Sequence, residues 1–251
     1  LDRSSAASDV YKRQAQEDSD KDPYQQRNLP EYTHGTHPTL GAGILYSVDQ
    51  LTFFDTGLVP VTASDLGAVL VAQGQCQLLF GDADTTRGKR RKPTPQSARL
   101  SVLLHSEWRA RQLRDLAQFV DCAVTVDTPA ERSWLVRMEG PVLLPVAQAW
   151  TKGAVKTVPA RWTLSDRALQ IWATVAGALE ENGMRFGLDP HIASHELLRE
   201  RAAAALAQLG AAASYVGPRA GGPALRVTGQ RRLGNIMTIL GEPPEDGSWD
   251  A

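Results

Sequence analysis

A short basic segment is the part of this sequence best equipped to bind an anionic ligand. It contains Arg87, Lys89, Arg90, Arg91 and Lys92. Guanidinium and ammonium groups donate charge-assisted hydrogen bonds to phosphate oxygens, so this basic run, residues 87–92, could bind a phosphate backbone. A solvated surface loop can have the same composition, and both interpretations stay open.

Four further arginines fall on segments that we predict to be β-strands. They are Arg99, Arg137, Arg185 and Arg226. Because successive side chains of a strand point to opposite faces, alternation predicts that these arginines lie on the solvent face of a sheet. A guanidinium in that position can contact phosphates or base edges, so the four arginines join the basic run as candidate nucleic-acid contacts.

The residue types that build metal sites and covalent-catalysis sites are sparse. Cys76 and Cys122 lack a partner at zinc-ligand spacing, which favours reduced core residues. His34 and His37 have no acidic or cysteine partners at ligand spacing, so a polar turn is the better interpretation. The sequence also contains no P-loop, dinucleotide-binding fingerprint or nucleophile elbow. We therefore predict no metal site and no cofactor from these residues.

The composition of the chain is that of a folded protein with an uneven charge distribution. The 251 residues are 42% hydrophobic, which is enough to bury a core, and the formal net charge is −1. Acidic residues are concentrated at the two ends, whereas residues 32–241 contain more basic than acidic side chains. A basic middle is compatible with a phosphate-binding face. No apolar run approaches the roughly 20 residues that span a bilayer, so we predict no membrane association.

The two ends of the chain are expected to lie outside the fold. Residues 8–14 resemble linker read-through at the edges of assembled environmental or transcript sequences, and residues 15–30 have no periodic apolar pattern. We therefore predict that residues 1–30 are disordered and that the natural N-terminus, with any targeting peptide, is missing. Residues 31–60 form a lead-in segment without an assigned structure, and residues 242–251 are predicted to form a loose acidic tail.

Residues 64–148 and 165–239 contain the same order of sequence signals, which indicates an internal repeat. Each half begins with an apolar segment that is rich in small residues and ends in an amide residue followed by glycine. We predict a helix at each of these segments, residues 66–74 and 175–183, because glycine commonly follows the last turn of a helix.

The remainder of each half repeats one plan. Alternating segments predict strands, an amphipathic pattern predicts a middle helix, and a second strand pair leads into a closing helix. Both halves are therefore predicted to have the order α-β-β-α-β-β-α. The same number of residues separates Glu107 from Glu196 as separates Gly140 from Gly229. We attribute the longer separation of the two helix-ending glycines to an expanded loop in the first half, residues 82–97.

The two glycine-ended segments, the Lys156-Thr157-Val158-Pro159 junction and the closing residues 240–244 together resemble the LAGLIDADG homing-endonuclease family. The resemblance implies an α+β fold in which two pseudo-twofold-related α-β-β-α-β-β-α repeats form a saddle over nucleic acid. It also implies a monomer whose two motif helices pack closely at small residues, namely Gly67, Ala68, Ala176 and Gly177. The implied divisions are a first repeat at residues 61–150, a linker at 151–162 and a second repeat at 163–241.

The same resemblance implies where catalysis would occur. Members of the family keep a carboxylate just before each motif glycine, because the divalent cation that activates water needs anionic oxygen ligands. In this sequence the two positions are Gln73 and Asn182. A neutral amide lacks the charge that holds the cation, so we predict that both catalytic positions are inactive. Glu180 and Glu181 precede Asn182, but the rotation of about 100° per helical residue directs them elsewhere.

These observations lead to three functional hypotheses. The first is a cleavage-deficient nucleic-acid-binding protein with a splicing, maturase-like or regulatory role on RNA or DNA. The second is an active DNA endonuclease that uses Mg²⁺, and the third is a structural subunit of a ribonucleoprotein. The sequence does not distinguish RNA from DNA or name a target. It favours an intracellular protein and leaves the compartment open, organelles included.

Overall fold

The computed structural model describes residues 59–81, 94–243 and 247–249. All described residues belong to one compact unit within residues 53–251. The predictions for residues 1–30, for most of the lead-in segment and for the basic run therefore lie outside the described residues.

The first half begins with a short helix and ends with another. Its order is α1 (Ala63–Leu66), a 3-10 turn (Gly67–Leu70), β1 (Gln75–Phe80), β2 (Pro95–Leu104), α2 (Glu107–Ala117), β3 (Ala123–Ala130), β4 (Ser133–Gly140) and, after a 3-10 turn (Pro141–Leu143), α3 (Leu144–Trp150). A small hairpin, β5 (Thr151–Lys152) and β6 (Val155–Lys156), then occupies much of the predicted linker.

The second half repeats this order of elements. It contains α4 (Asp166–Ala176), β7 (Gly177–Glu180), β8 (Gly183–Gly187), α5 (His195–Gln208), β9 (Ala213–Val216), a 3-10 turn (Pro218–Ala220), β10 (Ala224–Thr228) and α6 (Gln230–Leu240). The strands form two four-stranded antiparallel sheets with equivalent orders, β1-β2-β4-β3 and β7-β8-β10-β9. The predicted α+β class is confirmed, while the pseudo-twofold relation between the halves stays a prediction.

Each sheet packs one face on helices and leaves the other face outward. In β2 the buried residues Ala98, Leu100 and Val102 alternate with more exposed ones, as a strand with one solvent face requires. The core also contains Trp172 and Phe186, whose rings are in contact, and the Trp172 indole N–H donates to the carbonyl oxygen of Gly187 at 2.8 Å. Burial of these apolar faces holds the helices on the sheets. No helix among the described residues is long and apolar enough to cross a membrane.

The helix that opens each half is central to the fold. We call α1 with its following 3-10 turn, residues 63–70, the first motif helix, and α4 the second motif helix. The two pack against each other. Their N-terminal ends are joined because Asp65 accepts hydrogen bonds from the backbone N–H and hydroxyl of Thr62 and from the hydroxyl of Ser165. Ser165 in turn accepts from the N–H of Ala168, so one buried carboxylate organises both helix starts.

The predicted second motif helix was wrong in its boundaries. Residues 175–183 are not one helix: α4 ends at Ala176, residues 177–180 form β7, and Asn182 lies in the turn that joins β7 to β8. A Cβ at Gly183 would lie 2.4 Å from the carbonyl oxygen of Val227, so this glycine permits close approach of a neighbouring strand. It does not end a helix, although Gly74 does follow the first motif helix as predicted.

Small residues also serve packing that differs from the prediction. A Cβ at Gly67 would lie 3.1 Å from the Trp150 indole nitrogen and 3.3 Å from Val146, so Gly67 admits α3 rather than the other motif helix. Gly177 instead caps α4, where its N–H donates to the carbonyl oxygen of Ala173.

The predicted loose tail is wrong for residues 247–249. Trp249 is buried, its ring meets Trp108 edge-on at 5.2 Å, and its carbonyl oxygen accepts from the N–H of Leu179. An apolar side chain and an edge-strand hydrogen bond therefore hold this segment on the fold.

Candidate nucleic-acid interface

A cleft of about 500 Å³ is lined by the C-terminal ends of both motif helices. Ala72 and Gln73 follow the first motif helix, and Val175, Ala176 and Gly177 end the second. The end of β2, the start of α2, part of β8, residues 221–224 and Ser248 complete the wall. We call this the central cleft. It brings together two parts of the chain that the sequence places about a hundred residues apart.

Only one of the two predicted catalytic positions lies at the central cleft. Gln73 lines it, whereas Asn182 is an exposed turn residue outside its lining. Because α4 ends six residues earlier than predicted, the residue that precedes the helix-ending glycine is Ala176. The chain therefore presents an amide and a methyl group to the cleft at the ends of its motif helices.

The charges around the central cleft do not suit a divalent cation. Among the described residues that line it there is no aspartate or glutamate, while Arg109, Arg185 and His105 contribute nitrogen groups. No group of three His, Cys, Asp or Glu side chains that could hold a metal ion occurs in the part of the chain that the structure describes. Mg²⁺ needs anionic oxygen ligands, so the residues present do not fit it.

Arg109 caps the second motif helix. Its guanidinium donates to the carbonyl oxygens of Ala173 at 3.0 Å, Thr174 at 3.1 Å and Gly177 at 2.8 Å. It also lies 4.9 Å from the ring centre of Trp108, in cation-π contact. The last carbonyls of a helix lack internal partners and carry partial negative charge, so a cation stabilises this end. Burial lowers the pKa of Arg109, which nevertheless stays charged.

Lys156 has the equivalent role at the first motif helix. Its ammonium group donates to the carbonyl oxygens of Leu70 at 3.2 Å, Ala72 at 3.3 Å and Gly74 at 2.7 Å. It also forms an ion pair with Asp189, which is almost fully buried. Burial lowers the pKa of Lys156, and the hydrogen bond and charge of Asp189 act in the opposite direction. Both motif helices thus end against a fixed protein cation.

The first sheet presents two of the predicted arginines on its outer face. Arg99 lies directly opposite Glu139, and its Nε donates to that carboxylate at 2.8 Å. Arg137 forms an ion pair with Asp127 on the neighbouring strand. A second, shallow cleft of about 710 Å³ on the outer face is lined by Arg99, Arg137 and Glu139, together with Gln96 and Thr125. The face is polar and almost charge-balanced.

The second sheet arranges its two arginines around one carboxylate. Arg185 and Arg226 lie directly opposite each other, and Glu180 accepts from both, at 3.0 Å and 2.7 Å respectively. Arg185 also donates to the carbonyl oxygen of Gly221 at 2.6 Å. The Glu180 carboxylate offsets the repulsion between the two guanidinium groups. Because it is a single negative charge beside two positive ones, a net positive charge remains.

Sequence reasoning found the outward arginines but missed the cations at the helix ends. Arg109 shares α2 with Arg111 and Arg114, and nothing in the sequence distinguishes it from them. Lys156 carried a weak signal, since it belongs to the junction that supported the family resemblance. Asp189 follows β8 without any motif. Cys76 and Cys122 are partly buried, and burial raises the pKa of both thiols, which keeps them protonated near neutral pH.

Comparison with known proteins gives similarity of structure only. No protein-family model matches the chain, and no curated protein matches it. Among solved structures, the homing endonuclease I-DmoI in complex with DNA and Mn is 14% identical, with a TM-score of 0.45 over 72% of this chain and 96% of that one. The N-terminal LAGLIDADG domain of DUF199/WhiA is also 14% identical, with a TM-score of 0.46 over 73% of this chain and 83% of that one. The function proposed below rests on the residues of this chain.

Proposed function

We propose that this protein binds nucleic acid through the outer faces of its two sheets and does not cleave it. The observation that carries the proposal is the central cleft: no aspartate or glutamate among the described residues lines it, and each motif helix ends there against a protein cation. A metal-dependent nuclease would need anionic ligands at these ends. Binding needs only donors and positive charge, which the cleft and the outward arginines supply.

The ion pairs on the outer faces are compatible with binding. Exposed pairs such as Arg99–Glu139 contribute only about 0–1 kcal/mol to stability, so a phosphate or base edge can replace the carboxylate as partner. Together with the basic run, Arg99, Arg137, Arg185 and Arg226 are the contacts that we assign to RNA or DNA. We further infer a splicing-related or regulatory role, since either role requires nucleic-acid binding without cleavage.

The structure gives the active-endonuclease alternative little support. Glu180 is held by two arginines, and Glu181 is exposed in the turn after β7, outside the lining of the central cleft. The ribonucleoprotein-scaffold alternative has one specific observation in its favour. Leu103 lies on the outward row of β2, lines the central cleft and is 47% exposed, so an apolar protein surface could pack there.

Binding and cleavage can be tested on the full chain in one set of measurements. We expect fluorescence anisotropy to show binding to a structured RNA or a random-sequence duplex DNA that weakens as salt rises, because phosphate contacts release counterions. Incubation of the same probes with Mg²⁺ or Mn²⁺ should leave them intact on denaturing gels. Absence of salt-sensitive binding to both probes would end the proposal, and cleavage abolished by Glu181→Gln would establish the endonuclease instead.

A charge-matched pair of variants tests where the nucleic acid binds. The double variant Arg90→Gln with Arg91→Gln should lower affinity and reduce the slope of log K against log salt. A double variant, Arg231→Gln with Arg232→Gln, removes exposed charge from α6 at positions outside the lining of both clefts, and should bind as the unmodified chain does. Equal losses in both variants would indicate a nonspecific charge effect and contradict the assigned surface.

A further inference from the structure

The central cleft contains one arginine, Arg109, that has no carboxylate partner among the described residues. Arg185, also in its wall, is paired with Glu180, and Lys156 at the first helix end is paired with Asp189. For Arg109, no carboxylate within ion-pair distance occurs among the described residues. Its neighbours are three carbonyl oxygens and two tryptophan rings, those of Trp108 and Trp249.

The partners of Arg109 leave it capacity to bind an anion. A helix end carries roughly half a negative charge, so the carbonyls offset only part of the guanidinium charge. Three of the five guanidinium N–H groups donate to these carbonyls, which leaves two for a ligand. The tryptophan rings restrict water around the group, and an electrostatic contact is stronger where water is restricted.

The position of Arg109 conflicts with the metal that the family resemblance implies. A divalent cation at the end of the second motif helix would sit beside a fixed guanidinium, with Ala176 in place of a carboxylate. Repulsion between these charges disfavours the metal, and no aspartate or glutamate among the described lining residues compensates for it. The same geometry attracts an anion.

We propose that Arg109 binds a backbone phosphate of the nucleic acid at the centre of the cleft, so that a protein cation takes the place of a divalent metal. This inference rests on the proposed nucleic-acid binding. The inference predicts that nucleic-acid binding is independent of divalent cations. The guanidinium that binds the phosphate is already held in place by the carbonyl oxygens at the end of α4.

The test compares full-chain variants by anisotropy, with the same duplex DNA and structured RNA probes, in excess EDTA and in Mg²⁺. The unmodified protein should bind equally in both conditions. Arg109→Gln should weaken binding roughly tenfold, the size expected for a hydrogen bond to a charged group, and lower the salt slope by about one. Arg109→Lys keeps the charge and should retain the salt slope. Arg114→Met, on the same helix but outside the cleft lining, should change neither quantity.

The outcomes separate this inference from the function on which it rests. If the unmodified chain binds neither probe, the proposed function fails. If it binds but requires Mg²⁺, or if folded Arg109→Gln binds as Arg114→Met does, Arg109 is only a helix cap and the inference is overturned. Thermal unfolding of each variant identifies loss of fold. If Arg109→Gln unfolds, Arg109→Lys is the deciding variant. A stably folded Arg109→Lys that loses the salt slope would contradict phosphate binding.

Discussion

At the scale of single residues, the decisive features are charges at the two motif-helix ends. Lys156 donates to three carbonyl oxygens of the first end and pairs with Asp189, whose side chain is 2% exposed. Removing one partner of a buried ion pair leaves the other charge without compensation, which costs more than the pair itself contributes. Lys156 is therefore as important to stability as a core side chain.

We expect Lys156→Met to lower the free energy of unfolding by about 3–5 kcal/mol, because it leaves the Asp189 carboxylate buried and unpaired. Urea denaturation followed by circular dichroism measures this difference. Lys152→Met, an exposed position on the same hairpin, should change stability by no more than about 0.5 kcal/mol. Similar losses in both variants would show that the buried pair has no special role. Addition of Asp189→Asn to Lys156→Met should recover part of the loss.

At the scale of elements, the second half shows how a glycine signal can be misread. Gly177 and Gly183 both follow apolar segments that could end a helix, yet the two glycines have different structural roles. Gly177 has extended backbone angles, φ −82° and ψ 142°, that end α4 and begin β7. Gly183 pairs with Thr228 and admits the backbone of β10. The helix ends at Gly177 because this residue already pairs with Phe186 of β8, as the first residue of the edge strand β7.

Two glycine-to-alanine substitutions should therefore have opposite effects on stability. Gly183→Ala places a methyl group 2.4 Å from the Val227 carbonyl oxygen, so we expect a loss of at least about 1–3 kcal/mol as the strands separate. Gly234→Ala lies in α6 with nothing within 4 Å of the new Cβ, and it should gain about 0.5–1 kcal/mol from helix propensity. Chemical denaturation compares them directly, and a stable Gly183→Ala would contradict the strand assignment.

At the scale of the whole molecule, residues close to the end of the chain complete the site. Trp249 is 4% exposed, meets Trp108 and Arg109, and bonds through its carbonyl oxygen to Leu179 on β7. Ser248 lines the central cleft. A segment far from α2 in sequence therefore supports the guanidinium to which we assign the phosphate contact.

We expect Trp249→Ala to lower the free energy of unfolding by about 3–5 kcal/mol, since it leaves a cavity beside Trp108. Phe119→Ala removes an aromatic side chain that is 74% exposed and should change stability by no more than about 0.5 kcal/mol. Differential scanning calorimetry of the full-length variants measures both. A melting temperature unaffected by Trp249→Ala would mean that this segment is not held on the fold.

The sequence by itself determined the order of elements and the faces of the strands. Alternation is a local property, so it correctly placed Arg99 and Arg137 outward, opposite the buried Leu100 and Met138. The second strand pair predicted ahead of the closing helix of the second half is present as β9 and β10 for the same reason. Gly74 follows the first motif helix, but the helix ends at Leu70, and a turn at residues 71–73 precedes the glycine.

Only the tertiary structure decided what stands at the end of each motif helix. The strand β7 needs β8 as a neighbour, so the helix boundary at Ala176 depends on pairing that no local pattern contains. Arg109 and Lys156 reach carbonyl oxygens that lie 64 to 86 residues away along the chain. Many exposed arginines and lysines share their sequence signature, and the fold selects these two because their donors meet helix carbonyls that have no partner of their own.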